Sequence, residues 1–212
     1  MSVSKIVAAA ASGVGGAGLD VDEVFKTHLH TGNSTANRTI TNNIDLSGEG
    51  GLVWIKGRSS SGYDHVLEDT ERGADKALLT NSTGAAQSSG FYGVNQFNSN
   101  GFRLDEGGNV NNNNIDYVSW TFRKAPKFFD IVTWTGNGVN NRSISHNLGS
   151  KPGAIIMKRT DGTENWYIGC WNGLPHNNGW KLNTSEATST YGYFGTTAPT
   201  TTTFNVTSFN GG

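Results

Sequence analysis

Short hydrophobic runs alternate along this chain with stretches dominated by Gly, Asn, Ser and Thr. In Tyr117-Val118-Ser119-Trp120-Thr121-Phe122 the alternation is strict. Tyr117, Ser119 and Thr121 fall on one face of an extended backbone, and Val118, Trp120 and Phe122 on the other. That period of two predicts a strand whose apolar triplet faces a core. Residues 129–135 read the same way, with Phe129, Ile131 and Thr133 opposite Asp130, Val132 and Trp134, so both faces are expected to be partly covered. Other β-prone runs lie at 24–30, 38–41, 52–56, 76–80 and 101–104, then at 142–145, 154–159, 165–171, 180–183 and 203–208. Clusters of turn-forming residues separate them. Beyond the N-terminal residues no helical period is sustained. Many short strands with frequent turns predict an all-β protein of the sandwich or barrel kind.

The runs recur. Arg38-Thr39-Ile40-Thr41 matches Arg142-Ser143-Ile144-Ser145, and each follows a Thr-Gly-Asn, at 31–33 and 135–137. Leu52-Val53-Trp54-Ile55-Lys56 matches Ala154-Ile155-Ile156-Met157-Lys158, and Phe102 falls opposite Phe204. Several matches in order at one nearly constant offset predict a duplication. The expected organisation is an N-terminal arm (1–19), a first antiparallel β-sandwich unit (20–125) and a second (126–212). Residues 123–127, with Pro126 among three cations, form the junction. The first copy closes with DYVSWTF, whereas the second reaches residue 212 where that strand would begin. A sandwich without its closing strand leaves an open edge. Another subunit could supply the strand, or the polypeptide could run past residue 212; the sequence favours the continuation.

Composition narrows the class. Of 212 residues only 16% are charged and 29 are Gly, yet six Trp, six Tyr and ten Phe demand burial, which excludes a disordered linker. The net charge is −1 and no basic block stands out, so nucleic-acid binding is not expected. The apolar run Ile6–Ala11 is too short for a secretory leader or a membrane span, and membrane insertion is not expected. That run could form a short helix or an arm that docks on a partner. A lone cysteine, Cys170, rules out an intrachain disulfide and reads as a buried small hydrophobe.

Catalytic patterns are thin: no nucleophile elbow, zincin or phosphate-loop motif occurs. Cys170 and His176 lie near each other in sequence without a group to activate the thiol. Glu68, Asp69 and Glu71 beside Arg72, and Asp105 with Glu106, read as loop charges rather than as a paired-carboxylate site. His28 and His30 would share one face of a strand. Three such pairs around a three-fold axis would offer six nitrogens to a transition metal, which makes them the metal candidates. Trp171, Tyr191 and Tyr193, in Gly/Asn-rich surroundings, are the candidate ligand contacts. No enzyme activity and no cofactor are expected.

Longer stretches carry a resemblance. DLSGEGGLVWIKGR (45–58), LEDTERGADKALLTNSTGAA (67–86), FNSNGFRLDEGG (97–108) and DYVSWTFRKA (116–125) resemble a repeat unit of tailed-phage virion proteins, especially fibre-associated proteins of marine cyanobacterial phages. FDIVTWTGNGVNNRSISHNLGSKPGAIIMKR (129–159) resembles the companion unit. The resemblance implies concanavalin- or laminin-G-like jelly-roll units, a place in the virion tail or on the particle surface, and a homo-oligomer with a trimer favoured. It carries no catalytic residues. It implies a tail-fibre or fibre-associated role in assembly and host attachment, with the arm contacting other virion proteins; a capsid or tail decoration protein and a lectin-like module for host-surface glycans are the alternatives.

Overall fold

The computed structural model describes residues 18–88, 93–171, 178–190 and 192–207. The protein is all-β, with antiparallel sheets throughout and packing consistent with a β-sandwich. A one-turn helix, α1 (Val21–Val24), opens the described chain, its first turn capped by the Asp20 carboxylate, which accepts from the Asp22 N–H. Strands β1 (Phe25–Thr31), β2 (Arg38–Thr41), β3 (Gly51–Gly57), β4 (His65–Asp69), β5 (Lys76–Leu79), β6 (Gln87–Ser88), β7 (Val94–Asn98) and β8 (Gly101–Leu104) follow. A second short helix, α2 (Gly108–Asn111), precedes β9 (Asp116–Arg123). The remaining strands are β10 (Arg142–Ser145), β11 (Ala154–Met157), β12 (Tyr167–Cys170), β13 (Asn178–Lys181), β14 (Ser189–Thr190) and β15 (Thr203–Val206).

A six-stranded sheet runs β1-β9-β3-β4-β5-β6 and faces a three-stranded sheet, β2-β8-β7. Between them lies a core that includes Ile40, Val53, Ile55, Phe102, Leu104 and Tyr117. In the later part of the chain β10 pairs with β15, and a four-stranded sheet runs β11-β12-β13-β14. Its core gathers Ile144, Met157, Tyr167, Phe194, Phe204 and Val206.

The pairings of the two stretches correspond. Ile40 stands opposite Phe102 in β2–β8, and Ile144 opposite Phe204 in β10–β15. Val53 pairs with Glu68 and Leu67 with Leu78, as Ile155 pairs with Gly169 and Ile168 with Trp180. Loop contacts repeat too. The Asn42 N–H donates to the Asn100 carbonyl at 3.0 Å, and the His146 N–H to the Thr202 carbonyl at 2.8 Å. Arg38 Nη1 donates to the Thr31 carbonyl at 2.6 Å, and Arg142 Nη1 to the Thr135 carbonyl at 2.5 Å. These last contacts put 129–135 where β1 lies in the first stretch.

Four expectations from sequence are corrected. Residues 129–135 form no strand, because a ladder needs a partner and, among the described residues, none lies beside them. In β9 it is Tyr117, Ser119 and Thr121 that face the sandwich interior, each fully buried. Their polar groups are satisfied there: Asn42 Nδ2 donates to Thr121 Oγ1 at 2.8 Å, and the Asn112 N–H donates to the Tyr117 hydroxyl at 3.0 Å. Trp120 and Phe122 lie on the opposite, half-covered face, where Trp120 packs edge-on against Trp54. Glu68 is not a loop charge: it is wholly buried in β4, accepting from the N–H groups of Val94 and Lys76. An added Cβ on Gly93 would sit 2.1 Å from its carboxylate, so only glycine leaves room for it. Cys170 is half-buried rather than enclosed.

Candidate assembly cleft

The metal candidates come first. His28 and His30 do share a face of β1, their rings 6.3 Å apart. That face is the inner one. His30 is buried, stacks on Tyr117, and its Nε2–H donates to the Val110 carbonyl at 3.0 Å. Burial, with Arg38 adding to it, pulls its pKa down to about 4 despite the opposing carbonyl bond, so the ring is neutral near pH 7. No group of three His, Cys, Asp or Glu side chains is placed to hold a metal among the described residues. Among the aromatic candidates, Trp171 packs edge-on against Phe194 and Tyr193 lies against Tyr167, both at the margin of the second core. Tyr191 and His176 lie outside the described residues, as does most of the N-terminal arm. The acidic clusters are engaged locally: Asp69 pairs with Arg72 at 2.6 Å, Glu71 with Lys124 at 2.5 Å, and Asp105 accepts from Asn95 Nδ2 at 2.5 Å.

A large cleft among the described residues has no counterpart in the sequence patterns. A cleft of about 2350 Å³ separates the outer face of the six-stranded sheet from residues 127–161. One wall is aromatic and aliphatic, with Phe25, Leu52, Trp54, Trp120 and Phe122. The other consists of 129–135 and β11, where Ile156 is 49% exposed. At one end the walls meet: Trp166 is buried against Leu67 and Leu78, and its indole N–H donates to the Leu79 carbonyl at 3.0 Å. Backbone bonds from Ala86 N–H to the Thr160 carbonyl and from Glu164 N–H to the Thr83 carbonyl hold that end closed.

Ladder phase tells which backbone groups face the cleft. In an antiparallel strand alternate residues bond to alternate neighbours. The Lys124 N–H donates to the Gly50 carbonyl and the Arg58 N–H to the Asp116 carbonyl, so Leu52, Trp54 and Lys56 bond to β9. Thr70 N–H donates to Gly51, so Val53 and Ile55 bond to β4. In β11 the Trp171 N–H donates to Gly153, so Ile155 and Met157 bond to β12. That leaves the N–H and C=O of Ala154 and Ile156 pointing away from β12, at a sheet edge that lines the cleft.

One buried side chain borders the same cleft. His146 is 7% exposed, accepts from the Leu148 N–H at Nδ1, and lines the cleft, yet its Nε2 has no partner among the described residues. Its counterpart Asn42 reaches Thr121 on β9. Hydrophobic patterns gave no sign of the cleft, because it arises from packing between distant segments.

No curated protein and no solved structure matches this chain. A family profile does, over residues 20–211, which is nearly everything the structure describes. The chain belongs to the DUF7483 family, a domain of unknown function.

Proposed function

We propose that this chain is a non-enzymatic structural protein of a tailed-phage particle, a tail-fibre or fibre-associated component that acts in assembly and host attachment. In this reading it comprises two copies of one jelly-roll, laminin-G-like sandwich unit, meeting near residue 126. The observation that carries it is the open cleft: an apolar wall and a strand edge with no partner among the described residues, on the same concave surface. Such surfaces are more costly to leave in water than to bury against another chain. Its buried carboxylate and histidine are held by backbone groups inside a sandwich, a structural rather than a reactive setting. The phage assignment rests on the resemblance of 45–58, 67–86, 97–108, 116–125 and 129–159 to virion repeat units.

Immuno-electron microscopy of purified particles tests it directly. Antibody against this chain is expected to decorate the tail or particle surface, and sedimentation of the purified protein to give a trimer or larger symmetric oligomer. Absence of label from every particle would overturn the reading. A clean monomer that binds a host glycan, with binding lost on Trp171→Ala, would replace it with a lectin-like module.

A further inference from the structure

The cleft has the form of one missing strand. In the first stretch β9 lies between β1 and β3 and bonds to both. In the second, 129–135 takes the place of β1 and β11 that of β3, and nothing among the described residues lies between them. Ile156 occupies the position of Trp54, and its backbone groups face the gap, as those of Trp54 face β9. His146 occupies the position of Asn42, and its Nε2 has no partner among the described residues, where Asn42 Nδ2 bonds to Thr121.

We propose that this gap is a strand-acceptor site, completed by one extended segment of a partner polypeptide with the chemistry of β9. The segment begins with an acidic residue, carries tyrosine or hydroxyl side chains on its core-facing positions, and presents large apolar ones to the cleft. Each requirement has a source. Asp116 accepts from the Thr31 hydroxyl at 2.7 Å, and Thr135 with Arg142 stands ready at the matching end of the gap. A hydroxyl at the position of Thr121 gives His146 Nε2 its missing bond. Apolar residues at the positions of Trp120 and Phe122 cover Ile156 and extend the aromatic wall. Main-chain bonds to Ala154 and Ile156 on one side and to 129–135 on the other supply affinity, as in strand addition to an open edge.

A continuation of the chain would share this chemistry. The inference takes the partner because the cleft carries a capture charge: Lys127, Arg142 and Lys151 line it and none makes an ion pair among the described residues, whereas the carboxylates that line it, Asp69, Glu71, Asp130 and Asp161, are each paired. Cations without an ion pair steer the acidic end of an incoming segment, a service that a covalently attached strand does not need. This rests on the reading of the chain as an assembly component with two copies of one unit.

The probe is a synthetic peptide reading DYVSWTFR, the sequence of β9, compared with a peptide of equal composition whose alternation is scrambled. The 212-residue protein is expected to bind the first one to one and at least about tenfold more tightly than the second. Binding is expected to slow hydrogen exchange at the Ile156 amide and to slow maleimide labelling of Cys170, which lines the cleft. Ile156→Pro removes only an N–H that the fold does not use, so the fold survives and affinity falls at least about tenfold. Should circular dichroism show that this variant unfolds, Ile156→Asp places a charge under the apolar face of the strand and is expected to weaken binding similarly. Equal affinity for the scrambled peptide overturns the inference. An Ile156 amide already protected without peptide overturns it too, because the chain then fills its own gap. Peptide binding with no label on particles would sink the particle reading alone; label without peptide binding would sink the acceptor site alone.

Discussion

Strands β3 and β11 occupy corresponding positions and differ in what lies beside them. β3 is flanked by β9 and β4, and its alternate residues, Gly51, Val53, Ile55 and Gly57, are buried. Among the described residues β11 has β12 alone, buries only Met157, and leaves Ile156 half in water. Local sequence accounts for little of this: AIIM is at least as β-prone and apolar as LVWI. The lesson is that burial here is conferred by the neighbouring strand rather than by the strand's own residues.

The comparison can be broken most forcefully in the cores. Phe102 is fully enclosed between complete sheets, whereas Phe204 stands beside the open gap. Phe102→Ala is expected to cost about 3–5 kcal/mol in denaturant unfolding, the range for deleting an enclosed aromatic ring. Phe204→Ala should cost measurably less. Equal losses would mean that the second core is as complete as the first.

Two opposing titrations come next, both confined to the first stretch. Burial pushes the Glu68 pKa from 4.5 up to about 7, against the two N–H bonds that favour its charged form. Between those values the folded chain keeps a proton that the unfolded chain has released, so this group makes stability fall as pH rises from 4.5 to 7. His30 has the reverse sign. Its folded pKa of about 4 lies below the unfolded 6.5, so its contribution is lost as pH falls through that window. Each slope is near 1.4 kcal/mol per pH unit at most, and they offset one another where the windows overlap. Glu68→Gln should therefore expose a stability that rises from pH 4.5 to 6.5, and His30→Phe one that falls over the same interval. Urea midpoints across that interval check both. Their counterparts Gly169 and Trp134 do not titrate, so no such pair of slopes arises in the second stretch.

A smaller effect concerns the closed end of the cleft. Trp166→Phe keeps most of the apolar contact but loses the bond to the Leu79 carbonyl, at a cost of about 1 kcal/mol. The expected sign is a lower urea midpoint without a change in circular dichroism.

Many strand positions were legible because hydrophobic alternation and the matched runs reinforced one another at Ile40/Ile144, Val53/Ile155 and Phe102/Phe204. β4 and β7 were not. His65-Val66-Leu67-Glu68-Asp69 has no clean alternation and ends in two carboxylates that ordinarily stay in water, and Val94-Asn95-Gln96-Phe97-Asn98 is mostly polar. The orientation of β9 was misjudged for a related reason: Ser119 and Thr121 look solvent-facing until Asn42 and the His28 carbonyl are seen beside them. At 129–135 the pattern of a strand is present but, among the described residues, a partner is not, which no local reading can detect. His28 and His30 were rightly put on one face, but the side of the sheet that this face meets depends on Tyr117 and Val110, some eighty residues away.

Residue-resolved hydrogen exchange on the unliganded 212-residue protein tests the missing neighbour most directly. In β3 the amides of Val53, Trp54 and Ile55 are all expected to exchange slowly. In β11 the amides of Ile155 and Met157, bonded to β12, should be slow, while that of Ile156 exchanges about a hundredfold faster or more. Uniform protection along β11, matching that of β3, would contradict the account.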